Sequence, residues 1–227
     1  MFKKIAIVLV VLLGGFLAFA ATRPETYHVE RSASIGAPAD VVYSNVDNFK
    51  TWSVWSPWEK MDPQMQKTFS GPERGVGAAY AWQGNKKVGK GSMTITAVEP
   101  AKSATYRLEF IEPFAAVATT LFTIAPEGDN ASKITWAMDG HNNFAGKIFS
   151  VFMNMDQAIG TDFEKGLAAL KILAEDQAKR QAEAAAAAKA KAEAEAAEKA
   201  KAEADAAEKA KAEEEAAAAA AKGKRKR

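Results

Sequence analysis

Residues 143–175, NFAGKIFSVFMNMDQAIGTDFEKGLAALKILAE, decide how the rest of the chain is read. Phe144, Ile148, Phe152, Met155, Ile159, Phe163, Leu167 and Leu170 recur in steps of mostly four, with steps of three, which is the spacing of one helix face. Asn143 suits the N-cap. Thr161 and Glu164 make a Thr-x-x-Glu capping pair directly after Gly160, so a kink or restart is expected there. A helix this apolar on one side must lie on something broad.

Working back toward the N-terminus, the residues before it supply that surface. Lys67–Ser70, Ala78–Gln83, Val88–Val98, Ala104–Ile111, Ala115–Ile124 and Lys133–Asp139 read as a meander of strands. Turn residues part them: Pro72 and Gly75, Gly84-Asn85-Lys86, Pro100, Pro113, and Pro126 through Asn130. Ile134, Trp136 and Met138 share one face of their strand, Tyr106, Leu108 and Phe110 another, and Met93 pairs with Ile95. One covered face and one wet face suit an antiparallel sheet wrapped on a helix. Upstream, Tyr27–Ile35 alternates as a first strand, and Pro38–Asn48 has helix character. Between them and the meander lies Trp52-Ser-Val-Trp-Ser-Pro-Trp58, read as a loop. Three tryptophans make it either a hydrophobic plug at the sheet edge or the lid of an apolar pocket.

Composition divides the chain into residues 1–22, 23–174, 175–221 and 222–227. Ile5–Ala21 is an uncharged apolar run behind Lys3 and Lys4. It reads as an export segment with two open fates. Ala18-Phe19-Ala20 has the small-x-small pattern of a cleavage site. The length of the run, just enough to cross a bilayer, favours retention as a single-pass anchor. Lys3 and Lys4 put the cytoplasm on their side, hence the domain on the periplasmic side of an inner membrane; cleavage would release it into the same compartment. The middle segment carries 15 basic and 16 acidic residues. That balance offers nucleic acid no specific footprint. The absence of cysteine removes disulfides and thiolate chemistry. Of the last 53 residues 25 are alanine, with ten-residue Lys/Ala/Glu units from Lys189, Lys199 and Lys209. Alanine's propensity and acid–base pairs such as Glu195 with Lys199 and Lys201 with Asp205 favour one long solvated helix. A ten-residue period builds no heptad seam. The basic end, Lys222–Arg227, is either a plain tail or a contact for an anionic polymer or an envelope protein.

Chemistry-bearing motifs are scarce. Gly84-x-x-x-x-Gly89-Lys90 resembles a phosphate loop, but Gly91 stands where Ser or Thr belongs and a strand follows where a helix should start; a hairpin is expected. His28 and His141 lack metal-ligand spacing, and no Gly-x-Ser-x-Gly elbow exists. No metal or cofactor is expected. Asp47, Glu109, Asp139 and Asp156 are the remaining proton-transfer candidates, with Glu109 and Asp139 on the wet parity of their strands. The aromatic and methionine set is the richest signal. Trp52, Trp55, Trp58, Tyr80, Trp82, Tyr106, Phe110, Trp136 and Met138, with Phe149, Phe152 and Met153 from the helix, form either an ordinary core or the lining of a cavity for an apolar ligand.

The order of one strand, short helical material, a strand meander and a long C-terminal helix resembles the α+β helix-grip fold of START-like (SRPBCC) domains. Within that superfamily YHVERSASIGAPADVVYSNVDNFKTWSVWSPW, SGPERGVGAAYAWQGNKKVGKGSMTI and FMNMDQAIGTDFEKGLAALK are similar to bacterial polyketide cyclase/dehydrase-like proteins with an N-terminal membrane segment. The resemblance covers about residues 25–174 and implies a curved sheet of about seven strands on the helix. It also implies a cavity for a lipid-like or polyketide-like molecule. The family has no universal catalytic motif, so no catalytic residue is implied. Three functions follow as expectations: a tethered binding module for a small hydrophobic ligand, a cyclase, dehydratase or hydrolase in the same cavity, or a scaffold that works through its helical tail.

Overall fold

The computed structural model describes residues 2–224, with side chains through Glu213. The chain forms two compact units, residues 1–178 and 179–227. The basic cluster at 222–227 lies outside the described side chains.

The first unit begins with helix α1 (Phe2–Ala21), twenty residues charged only at Lys3 and Lys4 and long and apolar enough to cross a membrane. Seven strands follow in one antiparallel sheet: β1 (Thr26–Ile35), β2 (Gln66–Ser70), β3 (Ala79–Gln83), β4 (Lys90–Glu99), β5 (Ser103–Glu112), β6 (Ala116–Pro126) and β7 (Ser132–His141). Their order, β1-β7-β6-β5-β4-β3-β2, is a meander whose last strand pairs with the first. The alternation read from the sequence becomes rows of inward side chains. Ile95, Tyr106, Thr120, Met138 and Val29 stand opposite one another across five strands. All are buried. The Gly84–Gly89 stretch is the β3–β4 hairpin, with Gly84 N–H donating to the Gly89 carbonyl at 2.9 Å.

Three short helices bridge β1 to β2: α2 (Ala39–Tyr43), α3 (Phe49–Trp55) and α4 (Pro57–Met61). The tryptophan stretch is therefore helical rather than a loop. Asn48 caps α3 by accepting from Lys50 N–H at 2.9 Å. Ser56, placed before a proline, is pushed to extended backbone (φ −62, ψ 130) and stops α3. Pro57 then opens α4 at the position where its missing N–H costs nothing.

The long helix is also broken elsewhere than Gly160. α5 (Phe144–Phe152) ends at Met153, which is extended (φ −127, ψ 128), and α6 (Met155–Lys224) begins at once. Asn143 caps α5 through Gly146 N–H (2.9 Å), and Asn154 accepts from Gln157 N–H (3.2 Å). Thr161 and Glu164 do no capping. The Thr161 hydroxyl donates back to the Gln157 carbonyl, and Glu164 binds Arg31 Nε at 2.7 Å. Gly160 leaves room for the Arg31 guanidinium, which in its present rotamer would lie 2.0 Å from a Cβ there. The break separates two faces that the sequence reads as one. Ile159, Phe163, Leu167 and Leu170 lie against the sheet, whereas α5 buries no residue and packs beside α1.

The second unit is helical through Lys224, and its described side chains to Glu213 are exposed. Ion pairs along its described residues include Lys191–Glu195 (3.8 Å) and Lys199–Glu203 (4.0 Å), each with the lysine first.

Candidate functional site

The inner face of the sheet and the first turns of α6 do not close completely. Between them, under α3 and α4, lies a cavity of about 280 Å3. The sheet contributes Tyr80 and Trp82 from β3, Met93 from β4, Leu108 and Phe110 from β5, Thr120 from β6, and Trp136 and Met138 from β7. Trp52, Ser56, Trp58, Glu59 and Met65 close one side, Lys87 and Val88 sit at the β3–β4 hairpin, and Ala158, Ile159, Asp162 and Phe163 of α6 close another.

Parity places the strand residues here: the inward rows are the ones alternation marked. Trp136 anchors the wall. Its ring stacks on Phe163 with centroids 4.1 Å apart and planes 8° from parallel, and it meets Phe122 at 4.7 Å and Trp58 at 5.6 Å. Gly166 makes that stack accessible, because a Cβ there would lie 2.8 Å from the Trp136 ring. Trp82 donates its indole N–H to the Val88 carbonyl at 3.0 Å, which fixes the ring across from Phe110 at 6.2 Å.

The twelve aromatic and methionine positions divide by location. Trp52, Trp58, Tyr80, Trp82, Phe110, Trp136 and Met138 line the cavity. Trp55 and Tyr106 are fully buried behind it. Their polar tips are satisfied, Trp55 by the Asn45 carbonyl (3.1 Å) and Tyr106 by the Val46 carbonyl (2.6 Å), as befits anchors of the core. Phe149 and Phe152 on α5 and Met153 just past its end are 47%, 77% and 41% exposed, away from the cavity. The α5–α6 break is what removes them from the sheet-facing row. The cavity residues that sequence reading passed over are Ser56, Glu59, Met65, Lys87, Val88, Met93, Leu108, Thr120, Ala158, Ile159, Asp162 and Phe163. The sheet rows and the helix stripe already contained Met93, Leu108, Ile159 and Phe163. Glu59 had no signal, because its inward position depends on α4 starting at Pro57.

Polar groups are few and placed. Glu59, its side chain 11% exposed, accepts from Lys67 Nζ at 2.6 Å and from the Tyr80 hydroxyl at 3.1 Å. Burial, then the Glu59 charge, pushes the Tyr80 phenol well up, so it stays a neutral donor. The Trp136 indole N–H is the buried side-chain polar atom left without a partner among the described residues. Burial costs such a donor unless something accepts from it.

The other titratable candidates sit outside. Asp47 is 6% exposed; burial raises its carboxyl, with Arg74 at 3.2 Å opposing. Its charge faces Tyr43 and Tyr106 rather than the cavity. Asp156 is held below the usual carboxylate range by the Arg31 guanidinium at 2.9 Å. His28 is raised by its hydrogen bond to Asp139 at 2.8 Å, on the wet side of the sheet where both are exposed. Glu109 is half-buried and paired with Arg107. No three metal-ligating side chains come together among the described residues.

Solved structures similar to this chain include protein CV1439 of Chromobacterium violaceum, 16% identical over 67% of this chain and 99% of that one (TM-score 0.47). The ZhuI aromatase/cyclase of Streptomyces sp. R1128 is 13% identical over 66% and 94% (0.48). A norcoclaurine synthase of Thalictrum flavum is 13% identical over 67% and 96% (0.48). Likenesses of this size concern the course of the chain and not its chemistry. No curated protein sequence matches. The family described as polyketide cyclase / dehydrase and lipid transport matches residues 26–175, from the first strand to the sheet-facing turns of α6. The chain belongs to that family.

Proposed function

We propose that this protein binds a small hydrophobic or amphipathic molecule in the cavity between the sheet and α6, while α1 holds it at a membrane. The observation that carries this reading is a cavity walled by Trp58, Trp82, Phe110, Trp136, Met93 and Met138, with few polar atoms. Aromatic faces and adaptable methionines suit an oily body of variable outline. Burying that body contributes roughly 25 cal/mol per Å2 of apolar area. At about 280 Å3 the space is just under the range of ordinary ligand pockets, roughly 300–1,000 Å3, so it suits a small molecule or one acyl segment. With Lys3 and Lys4 on the cytoplasmic side, α1 would leave the domain on the periplasmic face of an inner membrane.

Native mass spectrometry of the full chain, with lipid analysis of its organic extract, tests the reading. The expected result is a reproducible extra mass that leaves on denaturation. A clean apo mass, with no uptake from a panel of lipids and aromatic compounds, would turn the reading toward a filled scaffold. One observation favours a second reading, chemistry in the same cavity: Glu59 is an almost buried carboxylate on the wall, paired with a neutral phenol. If a reaction occurs, Glu59→Gln abolishes turnover while the ligand mass is still carried.

A further inference from the structure

We infer that α5 and the β5–β6 turn form a lipid-docking surface that rests in the outer boundary of the bilayer spanned by α1. The inference rests on the membrane reading of α1.

α5 is a nine-residue amphipathic helix that buries none of its residues. Phe144, Phe149, Phe152 and Met153 are all more than 40% exposed. The end of β5 adds Ile111 (53%) and the β5–β6 turn Phe114 (59%), and the turn touches α5 through Phe114 and Phe149, rings 6.1 Å apart. Such a patch is too apolar to be left to water without a partner.

Its position relative to α1 identifies the partner. The Phe152 ring meets Phe16 of α1 at 5.6 Å, and Arg23 binds the Ser150 carbonyl at 3.1 Å. Phe16 lies five residues before the end of α1 at Ala21, about 7.5 Å along the axis at 1.5 Å per residue. If α1 spans the bilayer, Phe152 sits that far below its outer end, inside the roughly 5–10 Å to which interfacial helices bury their apolar face. At the level of Ala21 polar groups join the apolar ones. Glu25, His141, Asn142, Asn143 and Lys147 line an open cleft there together with Ala115, Ala116, Val117 and Phe144, and Lys147 pairs with Glu25 at 3.0 Å. Phe152 at the depth of Phe16, with the Glu25–Lys147 pair near the end of α1, matches the order of acyl chains and headgroups. The patch is thus continuous with the span, and lipid is the occupant both elements share.

The chain has no cysteine, so single labels report cleanly. Met153→Cys, Phe114→Cys, Leu12→Cys and Glu127→Cys are each labelled with an environment-sensitive dye in the full chain. The proteins are then reconstituted in phosphatidylcholine/phosphatidylglycerol vesicles. All four positions are exposed, so the substitutions leave the core untouched; circular dichroism verifies it. The expected result is that lipid-borne nitroxide quenches positions 153, 114 and 12 several-fold, while iodide quenches only position 127. Positions 153 and 114 quenched by iodide like 127, with position 12 still in lipid, would overturn the docking surface and leave the anchor standing. Position 12 in water would overturn both. Positions 153 and 114 shielded from both quenchers, with a dimer on cross-linking, would overturn the lipid assignment in favour of a second copy of this chain.

Discussion

Trp55 and Trp58 stand three residues apart and answer to different forces. Trp55 is fully buried with its indole N–H bonded to Asn45, and its ring meets Trp52 at 4.9 Å and Trp136 at 5.6 Å. Trp58 is only partly buried, on the cavity wall against Trp136 and Phe163. Trp55→Ala should therefore cost about 3–5 kcal/mol, as deletion of a packed aromatic does. Trp58→Ala should cost about 1–2 kcal/mol, within the ordinary range for single substitutions, yet weaken ligand uptake at least tenfold. Urea unfolding and ligand titration on both variants check the contrast; equal losses in both assays would make Trp58 a second plug. Sequence alone could not separate the two. Three tryptophans within seven residues mark burial, but which one faces a void depends on where Ser56 stops one helix and Pro57 starts the next.

Helices and strands follow the local pattern where a period is long and fail where a tertiary contact overrides it. The strands appear at their expected places within a few residues because alternation and proline-bearing turns agree. The capping pair at Thr161 and Glu164 failed because Arg31 claimed the glutamate from across the fold. Asn154 and Gln157 carried the competing signal that won, an N-cap with glutamine three residues on. Gly166 is a consequence at the same scale. Alanine in a helix interior normally gains about 1 kcal/mol over glycine. Here its Cβ would press 2.8 Å from the Trp136 ring and 3.2 Å from Pro57, so Gly166→Ala should instead lose about 1–3 kcal/mol, read by thermal unfolding. A gain would mean that the Trp136–Phe163 stack shifts freely.

Glu175 fastens α6 to the end of β1. Its Oε1 accepts from Gly36 N–H at 2.8 Å and from Lys171 at 2.9 Å, and these bonds, the backbone one first, hold the carboxyl below its ordinary range. A lowered folded value stabilises above the unfolded one, near 4.5, and the benefit disappears as pH falls through the folded value. The side chain is 37% exposed, so solvent screening limits the contribution to under about 1 kcal/mol. Glu175→Gln should thus be less stable than the parent by about 0.5 kcal/mol at pH 7 and indistinguishable from it near pH 3, in urea titrations at the two pH values. A difference unchanged by pH would assign the effect to packing.

At the scale of the whole molecule, composition separates what patterning cannot. Residues 179–227 form their own unit, and its described side chains are exposed. Single lysine–glutamate pairs near 4 Å on an exposed helix contribute only about 0.3–0.5 kcal/mol each, and alanine adds propensity rather than a core. The aromatic wall, the sheet and the sheet-facing turns of α6 all belong to residues 1–178. Ending the chain at Ala178 should therefore leave the unfolding midpoint of the sheet domain within about 2 °C, since a change below roughly 0.5 kcal/mol moves a domain of this size no further. Ligand mass in native spectra should persist unchanged. Helical circular dichroism should fall in proportion to the residues removed. Loss of the bound mass on truncation, with the midpoint kept, would instead move function into the tail and favour the scaffold reading, because no residue of the cavity wall would have been touched.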